Sequence, residues 1–144
     1  MTPPDARIGF LWPADGLTED EYRAFLPPGI CWLTARYDAG TATEALTEEV
    51  LAAYADPEVM RRAARGLRAC RPDLVACGDH AASFILGAEG EAAMAEAVRE
   101  TLGCPVVTMA AACRAALDAL GARRIALVSP YAEAVTGALE AYLG

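Results

Sequence analysis

The strongest constraint in this sequence is an alternation. Short runs of β-branched and aromatic residues are separated by longer alanine-rich stretches in which apolar side chains recur every three or four positions. The pattern repeats about every thirty residues, the spacing of successive strand-helix units, and predicts an α/β fold. Ile8-Gly9-Phe10-Leu11-Trp12 is apolar without interruption and closes at Pro13, as expected of a strand buried on both faces. Further strands are expected over residues 30–37, 73–77, 105–108 and 125–128. The result is a mostly parallel sheet of four to five strands with helices on both faces. The right-handed crossover rule places the first strand at the centre, flanked by the second and third.

The helices announce their ends. Thr18 followed by Glu21 is a capping-box signature for a short helix through Tyr22 and Phe25, stopped by Pro27-Pro28. Leu46, Val50 and Tyr54 mark one helix face; Asp56 with Pro57 then opens a second helix carrying Val59, Ala63, Leu67 and Cys70. Met94, Val98 and Leu102 define the next face, closed by Gly103, and the helix over residues 109–120 stops at Gly121. A last helix after Ser129-Pro130 carries Val135, Leu139 and Tyr142.

Composition excludes several classes. The 144 residues suit one domain, and 55% hydrophobic against 22% charged residues argues against disorder. Twelve basic and twenty acidic side chains leave a net charge of −8, the wrong sign for a phosphate backbone, so no nucleic-acid partner is expected. No apolar run is long enough to span a bilayer, and Met1-Thr2-Pro3-Pro4-Asp5 lacks a secretory leader's basic start, so a cytoplasmic protein with no membrane partner is expected. Five cysteines without a CxxC and a single histidine give no zinc pattern; no metal site is expected, and the thiols should be reduced and mostly buried.

In an open parallel sheet the ligand crevice lies beyond the carboxyl ends of the strands. Here that rule selects Trp12-Pro13, Tyr37-Asp38, Gly78-Asp79-His80, Thr108 and Ser129-Pro130-Tyr131. Neither GxGxxG nor GxxxxGK[ST] occurs, which disfavours dinucleotides and nucleoside triphosphates. Asp79-His80 is the most pointed pair, a carboxylate beside the only imidazole on a strand-to-helix turn. The competing reading makes Asp79 a helix cap with Ser83 beside it, and His80 a solvent-facing turn residue. Cys77 belongs to the buried strand rather than to the crevice. Ser129 and Tyr131 at a helix N-terminus could hold a carboxylate through neutral donors, or simply cap and pack. Thr108 reads as a helix cap, and Trp12 as core or as a wall of the crevice.

These residues also carry a resemblance. Arg7-Ile-Gly-Phe-Leu-Trp-Pro13 with Asp15-Gly16, Asp20-Glu21-Tyr22, Phe25-Leu26-Pro27, the stretch from Asp73 to Gly87, Pro105-Val-Val-Thr-Met109, the run from Ala115 to Val128, and Pro130-Tyr131 follow one another in a familiar order. The chain resembles the aspartate/glutamate racemase superfamily, in the branch of maleate cis-trans isomerases and arylmalonate decarboxylases. The resemblance implies two pseudo-symmetric α/β halves, a small carboxylate substrate between them, a cysteine from each half at the reacting carbon, and no cofactor. Two departures stand out. In the family's Cys-Thr-Ser-Gly-Ser-like turn the cysteine falls on Asp79, the next donors on His80 and Ala81, and only Ser83 and Phe84 keep the pattern. The second cysteine and its turn have no counterpart in these residues.

The expectation is therefore a cofactor-independent racemase, isomerase or decarboxylase-like protein that moves a proton on a small carboxylic acid, incomplete as a single chain. Asp79 would act as acid/base with His80 and Ser83 as donors or orienters, while Trp12, Pro13, Ser129 and Tyr131 bind the substrate. The alternative is a non-catalytic carboxylate-binding module or a truncated, inactive copy. Residues 1–122 would form the racemase-like domain, and residues 123–144 the first strand and helix of a second domain or an addition to the same sheet. In the first case Val135, Leu139 and Tyr142 would lack cover, and a homo-oligomer through the C-terminal helix would follow.

Overall fold

The computed structural model describes residues 4–14, 19–40 and 46–144, with the side chain of Glu19 left out. The predicted cap Thr18 and the Asp15-Gly16 pair lie outside the described residues. Four strands form one all-parallel sheet: β1 (Ala6–Pro13), β2 (Ile30–Tyr37), β3 (Leu74–Cys77) and β4 (Val106–Thr108), in the order β2-β1-β3-β4. The central place of β1 is the one expected from the crossover rule. The helices are α1 (Glu19–Arg23), α2 (Glu48–Tyr54), α3 (Pro57–Arg65), α4 (His80–Phe84), α5 (Gly87–Leu102), α6 (Met109–Ala119) and α7 (Glu133–Leu143).

Period-two alternation sorts the strand residues between the two faces. Leu11, Val75 and Cys77 join Met60, Met94 and Val98 in a core beneath α3 and α5. Gly9 lies on the same face because a β-carbon there would meet Leu67 Cδ1 at 2.8 Å, so glycine lets the chain after α3 settle on β1. Phe10 and Trp12 point the other way and stack at 5.1 Å, with Tyr22 of α1 against both rings and Trp32 against Phe10. Asp73 fastens the sheet's amino edge by accepting from Arg7 N–H at 2.8 Å, a bond that holds its carboxyl below the usual range.

Caps follow the sequence closely. Asp56 accepts from the N–H groups of Glu58 and Val59 with Pro57 at the first helical position, and Gly103 closes α5 at φ 69°. Cys70, read as a core residue, is exposed: a single 3₁₀ turn over Arg68–Cys70 follows α3 and breaks its helical phase. Cys77 and Cys104 are buried, whereas Cys31 and Cys113 are only half-buried, so the expectation that most of the thiols lie in the core does not hold.

Two expectations for the carboxyl-terminal segment change. Residues 125–128 pair with no strand among the described residues; Ile125 is 49% and Val128 94% exposed. Strand propensity expresses itself only on a partner edge, and the segment runs beside none. The stripe Val135, Leu139 and Tyr142 is not bare, being buried with Leu51, Ala81, Phe84 and Ala110 in a second core. The reason given for self-association through this helix therefore falls away, because α4, α2 and the start of α6 already cover it.

Candidate functional site

The turn after β3 is shaped by a missing side chain. A β-carbon on Gly78 would fall on the rings of Trp12 and Phe10, so glycine lets the turn lie against the indole. Asp79 then caps α4, its carboxylate accepting from Ala82 N–H at 3.0 Å. The capping reading is thus correct, yet Asp79 also lines a cavity. That cavity measures about 420 Å³ and lies at the carboxyl ends of β1, β3 and β4.

Of the residues singled out in the sequence, Trp12, Pro13, Asp79, His80 and Tyr131 share its wall. His80 is not the solvent-facing turn residue of the alternative reading. Its ring meets Phe84 edge-on at 5.1 Å, its Nε2 is buried without a hydrogen-bond partner, and burial holds its pKa below the usual 6.5. Trp12 is 6% exposed and its Nε1 is likewise unpartnered.

Ser83 and Ser129 are placed elsewhere. Ser83 is fully buried, donates to the Asp79 and His80 carbonyls at 2.7 and 2.8 Å, and accepts from Ala110 N–H; its hydroxyl holds the turn rather than facing the cavity. Ser129 Oγ accepts from Tyr131 N–H at 3.1 Å and from the Thr136 hydroxyl at 3.1 Å, fixing the approach to α7. Tyr37 is buried in the first core, and Asp38 accepts from Gly40 N–H beside a separate cleft with Arg36 and Arg62.

The cavity contains groups that sequence reasoning missed. Tyr22, Tyr54 and Met109 also line it, beside the apolar Leu46, Leu51 and Ala81, and the Tyr22 hydroxyl lies 3.6 Å from Met109 Sδ. Tyr22 is the one aromatic side chain in an otherwise charged turn of helix, a signal visible in the sequence. The phenols of Tyr22 and Tyr131 are both pushed up, first by burial; the Asp79 charge adds to both. Asp79, Tyr22 and Tyr131 therefore sense one another across the cavity.

Behind the site lies a second missed feature, a buried carboxylate. Glu91 of α5 accepts from Ala111 N–H at 3.1 Å, from the Tyr142 hydroxyl at 2.5 Å and from the Thr108 hydroxyl. Thr108 also accepts from Ala111 N–H, which makes it the helix cap expected. Cys77, beneath this network, has its thiol pushed up to about 12 by burial and then by Glu91. A neutral buried thiol is a poor nucleophile. Among the described residues no group of three or more His, Cys, Asp and Glu side chains could hold a metal ion, and no helix is long and apolar enough to cross a membrane.

Comparison with known proteins agrees with the fold. The family model for arylmalonate decarboxylase matches residues 13–144. An arylmalonate decarboxylase of Bordetella bronchiseptica is 32% identical over 143 residues, 99% of this chain and 53% of that protein. A Nocardia farcinica maleate cis-trans isomerase bound to TRIS superposes with a TM-score of 0.82 at 27% identity, over 96% of this chain and 58% of that one. A mutant of that isomerase with a covalently bound succinylcysteine intermediate gives a TM-score of 0.78 at 27% identity, over the same shares. The chain thus spans about half the length of the curated relative it matches.

Proposed function

The chain belongs to the arylmalonate decarboxylase family, and from that premise we propose that it carries one lobe of a proton-transfer site for a small carboxylic acid. The observation that carries this reading is the convergence of Asp79, His80 and Tyr131 on one cavity at the carboxyl ends of the strands. Asp79 takes the proton from the carbon next to the carboxylate and returns it. The enediolate formed between these steps is stabilised by hydrogen bonds from the Tyr131 hydroxyl and a His80 N–H. Ser83 holds the turn that aims Asp79 and His80, and Ser129 holds Tyr131. Trp12 and Pro13 wall the substrate, and no cofactor takes part in these steps. Residues 1–122 form the racemase-like lobe, and of the two arrangements open for residues 123–144 the packing of α7 against α2, α4 and α6 supports their addition to that lobe.

Deuterium uptake at the α-carbon, followed in heavy water across small mono- and dicarboxylic acids, tests the reaction class without knowledge of the product. Wild type should exchange; Asp79→Asn should slow exchange by at least about a hundredfold, the scale of general acid–base catalysis. Cys77→Ser should retain most of it. Exchange lost in Cys77→Ser and kept in Asp79→Asn would move the base to the thiol. A second reading, a carboxylate-binding module, is favoured by one observation: no cysteine lines the cavity among the described residues. Saturable binding without any exchange would select it.

A further inference from the structure

The segment Arg123-Arg124-Ile125-Ala126-Leu127-Val128 has strand composition after its two arginines. Among the described residues it pairs with no strand, and none of its N–H or carbonyl groups joins a backbone hydrogen bond. Its apolar side chains are open as well, since Ile125 and Val128 are exposed and so is Leu120 just before the run. Leu127 packs against the second core, which holds the segment in place with its hydrogen-bonding groups free. A row of unpaired backbone groups on a strand-forming sequence is a template for another chain.

The pattern on this segment is complementary to itself. In an extended strand Ile125 and Leu127 share one face, and Arg124, Ala126 and Val128 the other. Ile125 and Leu127 already line a cleft of about 520 Å³, with both arginines, that Ala126 and Val128 do not reach. Antiparallel pairing with a second copy about Ala126 sets Ile125 opposite Leu127 and Arg124 opposite Val128, each twice by symmetry. The charges select that direction. Arg123 and Arg124 begin the run, Glu133 lies in the first turn of α7 just beyond its end, and none of the three has an ion pair among the described residues. Antiparallel strands lay the basic end of each beside the acidic end of the other, whereas parallel strands would set like against like. A chain of net charge −8 repels its copies in general, so copies meet best where opposite charges face.

We propose that residues 124–128 pair antiparallel with the same residues of a second copy, about a two-fold axis at Ala126. The contact is isologous and closes at a dimer. It leaves the covered stripe of α7 undisturbed and uses none of the residues that line the cavity at the strand ends.

Sedimentation equilibrium of the full chain should show a monomer–dimer equilibrium with a dissociation constant of roughly 1–100 μM, as suits a small interface. Hydrogen exchange at rising protein concentration should protect the amides of residues 124–128, a measurement that needs no variant. Val128 is 94% exposed, so Val128→Arg leaves the fold intact. It sets like charges opposite one another in both symmetry-related pairs with Arg124 and should weaken the dimer at least about tenfold. Adding Arg124→Glu turns both pairs into opposite charges and should restore the dimer to within about threefold of wild type.

A wild-type chain that stays monomeric at roughly millimolar concentration would overturn the proposal. So would a dimer that Val128→Arg leaves unchanged, or a double variant no tighter than Val128→Arg alone. Concentration-dependent protection confined to Val106–Thr108 would put the partner on the outer edge of β4 instead, and protection confined to α7 would put it on that helix; either result overturns the pairing at Ala126.

Discussion

Glu91→Ala removes the acceptor shared by three donors, and the structure states what each donor loses. The Ala111 N–H keeps Thr108 Oγ1 at 3.1 Å, so its loss is small. The Tyr142 hydroxyl, held at 2.5 Å, and the Thr108 hydroxyl lose a charged acceptor in a buried setting. Hydrogen bonds to charged groups contribute about 1.5–3 kcal/mol each. Removal of the carboxylate's own desolvation cost offsets part of that loss. A net destabilisation of about 2–4 kcal/mol is expected. Urea unfolding at unchanged m should then show a midpoint lower by roughly 1–2 M. Tyr142→Phe deletes one donor and should cost about 1–2 kcal/mol. Because the two residues share a bond, the double variant should cost less than the sum by about 1 kcal/mol. A Glu91→Ala loss under about 0.5 kcal/mol, or strict additivity, would refute the reasoning.

Other outcomes follow from the same geometry. Burial, and then the bond to Glu91, push the Tyr142 phenol up to about 12. The folded state thus favours the neutral form, and the stability this contributes is complete below about pH 10 and lost as pH rises through 12. Base unfolding of Tyr142→Phe should lack that component. Iodoacetamide with mass spectrometry should label exposed Cys70 first and leave Cys77 intact while the protein is folded; equal rates would contradict the placement of Cys77. Gly78→Ala drives a methyl group into the Trp12 and Phe10 rings and should cost about 1–3 kcal/mol with a changed tryptophan emission; an unperturbed variant would show that the turn is not held against the indole.

What the sequence made legible was whatever depends on local rules. The uninterrupted run Ile8 to Trp12, Pro57 at a helix start and Gly103 at a helix end translate directly into β1, α3 and the end of α5. The crevice at the strand ends was legible because parallel topology dictates it, and Asp79, His80 and Tyr131 do meet there. Tertiary partners were less visible. Residues 125–128 have strand composition but pair with no strand among the described residues, and the apolar stripe of α7 found its cover in α4 and α2. Ser83 looked like a site donor because a hydroxyl beside a catalytic turn invites that role; its buried bonds to two carbonyls emerge only in three dimensions. Glu91 could have been noticed, since it lies on the same helical face as Met94 and Val98, where an unpartnered acid would be costly.

His80 is the only imidazole in the chain, which supplies a reporter at the centre of the proposed site. The most direct test is its Cε1–H resonance, followed by NMR together with the Trp12 indole N–H while a small carboxylic acid is titrated in. Both signals should move saturably with one shared dissociation constant, and the imidazole should titrate below its usual 6.5 in the free protein because burial disfavours its charged form. Saturable shifts confined to the cleft of Arg36 and Arg62, with His80 and Trp12 unmoved, would contradict the placement of the site at the carboxyl ends of β1 and β3.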